Sequence, residues 1–463
     1  MAGLVPAIHV FTLRMSKDVD ARIKPGTTWN CPAQAQHPAL TDTTMWHAVA
    51  KLGLRCLLDR PPSRAMTVVL WALAFAIPAH AADAAFQQWL AQQWPAAQAL
   101  GVARATFDAA TRGLEPDLTL PDLALPGQAE KAPQQPEFVQ TPSQYLREAS
   151  FDRLAARGRQ LGTQYRDTLV RIEKEFGVPG NVVLAIWARE TDYGGYQLPH
   201  DAIRVLATQA YVGKRKDFFQ NEFLQALKML QDGVPRADMR SSWGGAMGLT
   251  QFLPSEFYKY AVDFDGNGRA DIWHSVPDAL ASAAKQLAGK GWHAGEPWAI
   301  EVRAPANADC SIGVPEVTKP VGEWIERGFV PAYGRKLSAA ELSYDASLLQ
   351  PEGGYGPSFL TPKNYFVLKD YNYSDLYVLF VGHLSERIAG ARPFETPWSK
   401  NAQLKTTDVE TMQRRLTALG LYKDKIDGKA GMLTRAALGA YQKKNGLQVD
   451  CWPTTAVLEH MRR

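Results

Sequence analysis

After Pro179, over residues 181–196, the apolar positions recur at helical spacing, and Gly194 and Gly195 are expected to end the run. Val183, Ile186, Trp187 and Glu190 lie three, four and seven positions apart, which predicts a helix that carries a glutamate on its apolar stripe. Val178-Pro179-Gly180 opens it, proline being tolerated in a first turn. A comparable pattern through Phe86, Leu90, Trp94 and Leu100 predicts helix over 83–112, broken or kinked at Pro95. A long helical region is expected from Tyr145 to Phe176, ending at Gly177, and a closing helix from Tyr371 to Ile388. Between Pro116 and Pro142 six prolines exclude a long helix, so that stretch wraps over a surface or links. Residues 200–290 alternate helical runs with a Gly-rich segment and an Asp-rich loop; residues 293–362 suggest loops and short strands. Beyond a linker at 391–402, Thr407 and Glu410 form a capping-box pattern, and Val409, Met412, Leu416 and Leu419 share one face up to Gly420. A second helix follows the Asp427-Gly428 loop and carries Ala437, Leu438 and Tyr441, so residues 403–461 form a small helical domain.

Composition narrows the classes. With 463 residues, 46% of them apolar and 21% charged, the chain holds two or three domains with real cores. Four cysteines exclude a scaffold built on disulfides. The net charge of +4 arises within residues 1–81, which hold eight Lys/Arg against four Asp/Glu; the other 382 residues carry 43 of each sign. That balance argues against a nucleic-acid partner. Residues 66–78, MTVVLWALAFAIP, are uncharged, follow Arg55, Arg60 and Arg64, and precede Ala79-His80-Ala81. This is the profile of an export signal, too short for a mature membrane span. Its distance from Met1 suggests a true start downstream, at Met66 or at Met45, which would keep the arginines. Cys56 lacks the small residues of a lipid-attachment site. Residues 1–81 are therefore expected to be an upstream extension plus signal, and the product a soluble, monomeric periplasmic protein without a transmembrane anchor. Cleavage near Ala81 leaves Cys310 and Cys451, whose pairing the sequence leaves open.

Glu190 is the main candidate for chemistry. A carboxyl withdrawn from water holds its proton more tightly, as general-acid cleavage of a glycosidic bond requires. Gly194 and Gly195 leave room for a polymer to approach, and Tyr193 and Tyr196 are placed to line that space. A solvated helix end beside Arg189 and Asp192 is the plainer alternative.

The segment Ile186-Trp187-Ala188-Arg189-Glu190-Thr191-Asp192-Tyr193-Gly194 resembles the active-site segment of the lytic murein transglycosylase B family. So do Ser242-Trp243-Gly244-Gly245-Ala246-Met247-Gly248-Leu249-Thr250-Gln251-Phe252-Leu253-Pro254-Ser255, and Asn364-Tyr365 followed by Tyr371-Asn372-Tyr373-Ser374 and Tyr377. The resemblance covers about residues 135–390, after a helical and Pro-rich segment at 82–134. It implies a mainly helical, lysozyme-like α+β catalytic domain acting on peptidoglycan glycan strands without a required cofactor. By motif, Glu190 is similar to the sole catalytic acid, and Ser242 and Gln251 to polar residues beside the reacting sugar. Tyr365 and Tyr371 match aromatic or hydroxyl-bearing cleft positions. Ordinary glycosidases use two carboxyls; no second one is marked by motif, and the resemblance implies that the nucleophile is the substrate's own C6 hydroxyl. A hydrolytic muramidase and a non-catalytic wall-binding protein are the alternatives.

Two further segments carry candidate sites. Asp263, Asp265, Asn267 and Gly268 fit positions 1, 3, 5 and 6 of an EF-hand loop, with the Arg269 carbonyl at position 7 and Asp271 at position 9. His274 stands at position 12, where a bidentate carboxylate is usual, so a bound calcium ion would be weak and structural. Residues 403–461 resemble the common peptidoglycan-binding domain through Asp427-Gly428, Gly431-x-x-Thr434 and Tyr441-Gln442-x-x-x-Gly446-Leu447. Cys451 replaces the glycine usual after Asp450, which implies an altered turn.

Overall fold

The computed structural model describes residues 78–127, 140–306, 308–313, 317–399 and 404–463, with side chains from Ala84 onward. The expected export signal, the start at Met66 and Cys56 lie outside the described residues, apart from the backbone from Pro78. Residues 89–463 belong to one unit.

Helices α1 (Pro78–Gln92), α2 (Trp94–Ala99) and α3 (Arg104–Thr111) come first, and the expected break falls at Gln93 with Pro95 in the first turn of α2. After a short α4 (Pro142–Tyr145), the long helical region expected from Tyr145 to Phe176 consists of two helices, α5 (Glu148–Gln164) and α6 (Arg166–Phe176). The break at Tyr165 turns Leu154 and Leu161 of α5, and Leu169 and Ile172 of α6, onto the same core. Nothing local in the sequence enforces that break; packing does. Gly177 ends α6 in the left-handed region, as expected.

Helix α7 (Gly180–Thr191) is the centre of the domain. Every residue from Val182 to Thr191 is buried, so the stripe that carries Glu190 is one side of a fully enclosed helix. Helices α5, α6, α11 (Val276–Gly289) and α15 (Asp375–Ile388) pack around it. Between them run α8 (Ala202–Val212), α9 (Lys216–Gln231) and α10 (Pro254–Tyr260), and β1 (His200–Asp201) pairs antiparallel with β2 (Arg240–Ser241). The start of the Pro-rich stretch lies along α8: Asp117 N–H donates to Thr208, Arg204 to the Glu115 carbonyl, and Gln209 to the Pro121 carbonyl.

Residues 300–361 form an antiparallel sheet of β3 (Ile300–Arg303), β4 (Lys319–Pro320), β5 (Val330–Pro331), β6 (Asp345–Leu349) and β7 (Ser358–Thr361), in the order β4-β6-β7-β3-β5. Helices α12 (Val321–Glu326) and α13 (Ala339–Ser343) accompany it, and Trp324 fills its core. Next, α14 (Lys363–Tyr371) precedes α15, so the closing helix expected from Tyr371 to Ile388 begins instead at Asp375. Asn372 breaks the run by accepting Ser374 N–H with its side chain, leaving Tyr371 at the end of α14.

Residues 391–399 lie along the sheet, with Glu395 and Thr396 N–H groups on the Glu301 carboxylate. The C-terminal domain holds α16 (Thr406–Ala418), α17 (Met432–Lys444) and α18 (Thr455–Arg462). The expected capping box is absent: α16 begins earlier, after Lys405, without a side-chain cap. Its motifs are pinned by two buried glutamines. Gln413 holds the Asp427-Gly428 turn and Thr434, and Gln442 holds Asp450 and Cys451. Cys451 keeps the left-handed conformation of the glycine it replaces, with φ of 55°, and forms a disulfide with Cys310 across 141 residues. Among the described residues no helix is long and apolar enough to cross a membrane.

Candidate active site

Helix α7 delivers Glu190 to its C-terminal end and stops in an unusual way. Asp192, Tyr193 and Gly194 are successive left-handed residues, two of them non-glycine, at a cost of about 1–2 kcal/mol each. Side chains hold the first two in place. Asp192 pairs with Arg153 at 3.0 Å, and the Tyr193 hydroxyl donates to the Leu154 carbonyl at 2.9 Å while its ring meets Trp187 edge-on. Tyr193 is thus anchored toward α5.

Glu190 is 3% exposed. Its Oε1 accepts the Tyr377 hydroxyl at 2.5 Å, from the first turns of α15. Tyr377 stacks on Tyr371 with ring centroids 6.3 Å apart and planes within 6°. The Tyr371 hydroxyl donates to the Thr250 carbonyl at 2.6 Å. On the opposite side, Thr191 donates to the Leu249 carbonyl at 2.8 Å. The Gly-rich segment therefore lies directly against the end of α7, joined to it through Thr191 and, by way of Tyr371 and Tyr377, through Glu190 itself. Burial, followed by the Glu190 charge, pushes both tyrosine hydroxyls far above their ordinary range, so both are neutral hydrogen-bond donors.

The Gly-rich segment folds tightly. Ser242 accepts Ala246 N–H at 3.3 Å, and Ser242 N–H donates to the Ala246 carbonyl. Gly245, Gly248 and Gln251 are left-handed. A Cβ on Gly248 would lie 2.8 Å from the Ile272 carbonyl, which accepts Leu249 N–H. Gln251 is a buried, strained non-glycine residue whose amide donates to the Gly248 carbonyl at 3.0 Å. Of the residues singled out by motif, the fold brings Glu190 and Tyr371 together with the Leu249-Thr250 end of the Gly-rich segment, while the side-chain hydrogen bonds of Ser242 and Gln251 stay within that segment. Tyr365 goes elsewhere: its hydroxyl donates to Asp375 at 2.6 Å. Tyr377 was missed as a site residue. It stood in the quoted motif, but only the break at Asn372 fixes the face on which it lies.

The aspartate loop departs from an EF-hand. Asp263 accepts the N–H groups of Gly266, Asn267 and Gly268, Asp265 accepts Ser275 and Asn267 N–H, and the Asn267 side chain accepts Arg269 N–H. Asp271 pairs with Arg269 at 2.7 Å and with His274 at 3.3 Å, away from a ligand role. Instead Asp278, at the start of α11, converges with Asp263 and Asp265, their ligand atoms all within 4.8 Å of one another. Its carboxylate also accepts the N–H groups of Phe264, Asp265 and Asp271. The donors therefore do not fit a full EF-hand: three carboxylates remain, each already serving backbone amides.

A helical body with a small sheet and one carboxyl sealed at the end of its central helix defines the lysozyme-like class of catalytic domain. The chain belongs to the Transglycosylase SLT domain family, which it matches over residues 85–386. Residues 405–461 match a peptidoglycan binding domain. The chain is 31% identical over 241 residues to the membrane-bound lytic murein transglycosylase B of Escherichia coli (strain K12); the alignment covers 50% of this chain and 62% of that protein, so less than two thirds of the relative's length is spanned. Among solved structures it is similar to SltB3 from Pseudomonas aeruginosa in complex with NAG-NAM-pentapeptide, at 37% identity and a TM-score of 0.74, covering 81% of this chain and 99% of that one. The same protein in complex with NAG-anhNAM-pentapeptide matches equally well, over 82% and 99%. Catenated SltB1 from Pseudomonas aeruginosa follows at 26% identity and a TM-score of 0.52, covering 66% and 97%.

Proposed function

We propose that the protein is a lytic transglycosylase that cleaves the β-1,4 bond between N-acetylmuramic acid and N-acetylglucosamine in peptidoglycan and leaves 1,6-anhydromuramoyl ends. The observation that carries this is Glu190, buried and oriented by Tyr377, at the edge of the Gly-rich segment. Glu190 donates its proton to the glycosidic oxygen as the C1–O bond breaks. The resulting carboxylate takes the proton of the C6 hydroxyl as that oxygen bonds to C1, so no water is consumed and Glu190 regains its acid form. Ser242, Gln251 and Tyr371 belong to the walls beside the sugar. A solved relative held with both an open and an anhydro muramic fragment supports this chemistry.

Water-dependent hydrolysis would need a second carboxylate as base. Glu256, whose charge Tyr371 feels, accepts Gln286 at 2.7 Å and faces Lys290 at 3.6 Å, which holds it away from that role. Glu190→Gln is expected to lower turnover about 10²–10⁴-fold, and Glu256→Gln to leave it near wild type. Mass spectrometry of digested wall material reads the outcome: reducing ends in place of anhydro ends would indicate hydrolysis, and wild-type turnover by Glu190→Gln would remove the enzymatic proposal.

The same proposal includes export to the periplasm as a monomer, a catalytic domain near 135–390, and tethering to the wall by residues 403–461, which raises local substrate concentration. Any calcium ion would be weakly held and structural, at Asp263, Asp265 and Asp278; calorimetry without heat at millimolar calcium would exclude it.

A further inference from the structure

The joint between α14 and α15 decides where the Glu190 partners sit. Tyr371 ends α14 and Tyr377 lies two residues past the start of α15. Asp375, the first residue of α15, binds both helices: its Oδ1 accepts Tyr365 at 2.6 Å and also Lys369, both from α14. Its Oδ2 takes a group from another domain, the Arg435 guanidinium of α17, at 3.2 Å. The Arg435 side chain is 9% exposed and also donates to its own domain's Ala430 carbonyl at 2.7 Å. Burial would raise the Asp375 pKa, but the charges of Lys369 and Arg435 hold it well below the ordinary carboxylate range.

The C-terminal domain is held to deliver this group. The Cys310–Cys451 disulfide joins it to the sheet region, Tyr355 donates to Asp450 at 2.7 Å, and Gly439 sits so close to Ser311 and Cys451 that a Cβ would meet both. An exposed pair, Lys443 with Asp309 at 2.7 Å, lies on the same interface without touching Asp375.

We infer that Arg435 is a positioning residue for cleavage: through Asp375 it fixes the α14–α15 joint and thereby the Tyr371 and Tyr377 hydroxyls that orient Glu190 and the Gly-rich segment. The C-terminal domain therefore acts on turnover as well as on wall attachment. This rests on Glu190 being the catalytic group. The two effects separate on a short soluble substrate, for which tethering contributes nothing.

The test uses the full chain and a purified NAG-NAM tetrasaccharide-peptide, with kcat and KM measured separately. Arg435→Gln is expected to lower kcat about tenfold, the scale of a small misplacement of catalytic groups, with KM within about twofold. Arg435→Lys, which keeps the charge but loses the fork, is expected to fall between Arg435→Gln and wild type. Lys443→Ala is expected to match wild type. A wild-type kcat for Arg435→Gln, a change confined to KM, or an equal loss in Lys443→Ala overturns the inference. If Arg435→Gln fails to fold by circular dichroism, Arg435→Lys decides, and a wild-type kcat there overturns it. Glu190→Gln run in parallel keeps the two questions apart, because its full activity would defeat the proposed function whatever Arg435 does.

Discussion

One largely enclosed carboxylate shows how charge is arranged in this protein. Asp375 sits among Lys369, Arg435 and Tyr365, and its folded pKa is lowered despite burial. Between that lowered value and the unfolded value near about 3.9, the unfolded chain binds the extra proton, so stability falls as pH drops through the window. The contribution is complete above the unfolded value and is lost as pH falls through the folded one. Asp375→Asn is expected to cost about 3 kcal/mol at neutral pH, because buried Arg435 and half-buried Lys369 lose their partner. The gap from wild type should narrow below about pH 4, as urea unfolding at pH 7 and pH 3 would show. Residue chemistry of this kind was only half legible beforehand: Tyr365 was marked by motif, yet its hydroxyl serves Asp375, and no local pattern announces Arg435 as the fourth member.

At the scale of elements, the Gly-rich segment is where backbone conformation limits substitution. Gly248 is left-handed and faces a backbone carbonyl that cannot swing aside. Gly248→Ala is expected to cost at least about 2 kcal/mol and to depress activity, because the Leu249 to Ile272 bond it displaces also seats the Thr191 contact. Gly233, equally left-handed but with open space around it, should cost only about 1 kcal/mol on the same change. Thermal melts of the two variants, with turnover measured alongside, separate conformation from contact. What approaches the segment is the Ile272 carbonyl at Gly248 and the Leu206 side chain at Gly245. Helix limits were less visible. The helical region of 145–176 divides at Tyr165, since three-dimensional packing rewards turning each half toward α7, and the closing helix starts four residues later than expected, past Asn372.

For the molecule as a whole, the disulfide closes a loop of 141 residues between the sheet region and the C-terminal domain. Removing it with paired Cys310→Ser and Cys451→Ser changes is expected to cost on the order of 2–5 kcal/mol. Calorimetric scans with and without reductant should show the wild type moving to the melting temperature of the variant, and the variant unmoved. A cross-link at that place makes the C-terminal domain a fixed neighbour of the catalytic body, which a chain of wall-binding type joined only by a flexible linker would not be.

The helical character of the chain, the order of its domains, the candidacy of Glu190 and the Gly-rich segment were present in the sequence, because periodicity, glycine placement and short motifs are local properties. Tertiary structure alone decided that α7 is enclosed on all sides, that Tyr377 reaches Glu190, that Asp278 converges with Asp263 and Asp265, and that Cys310 meets Cys451. Each of those depends on groups from 14 to 187 positions apart being brought within a few ångströms, and that distance is set by how the helices and the sheet pack against one another, which no local stretch of chain encodes.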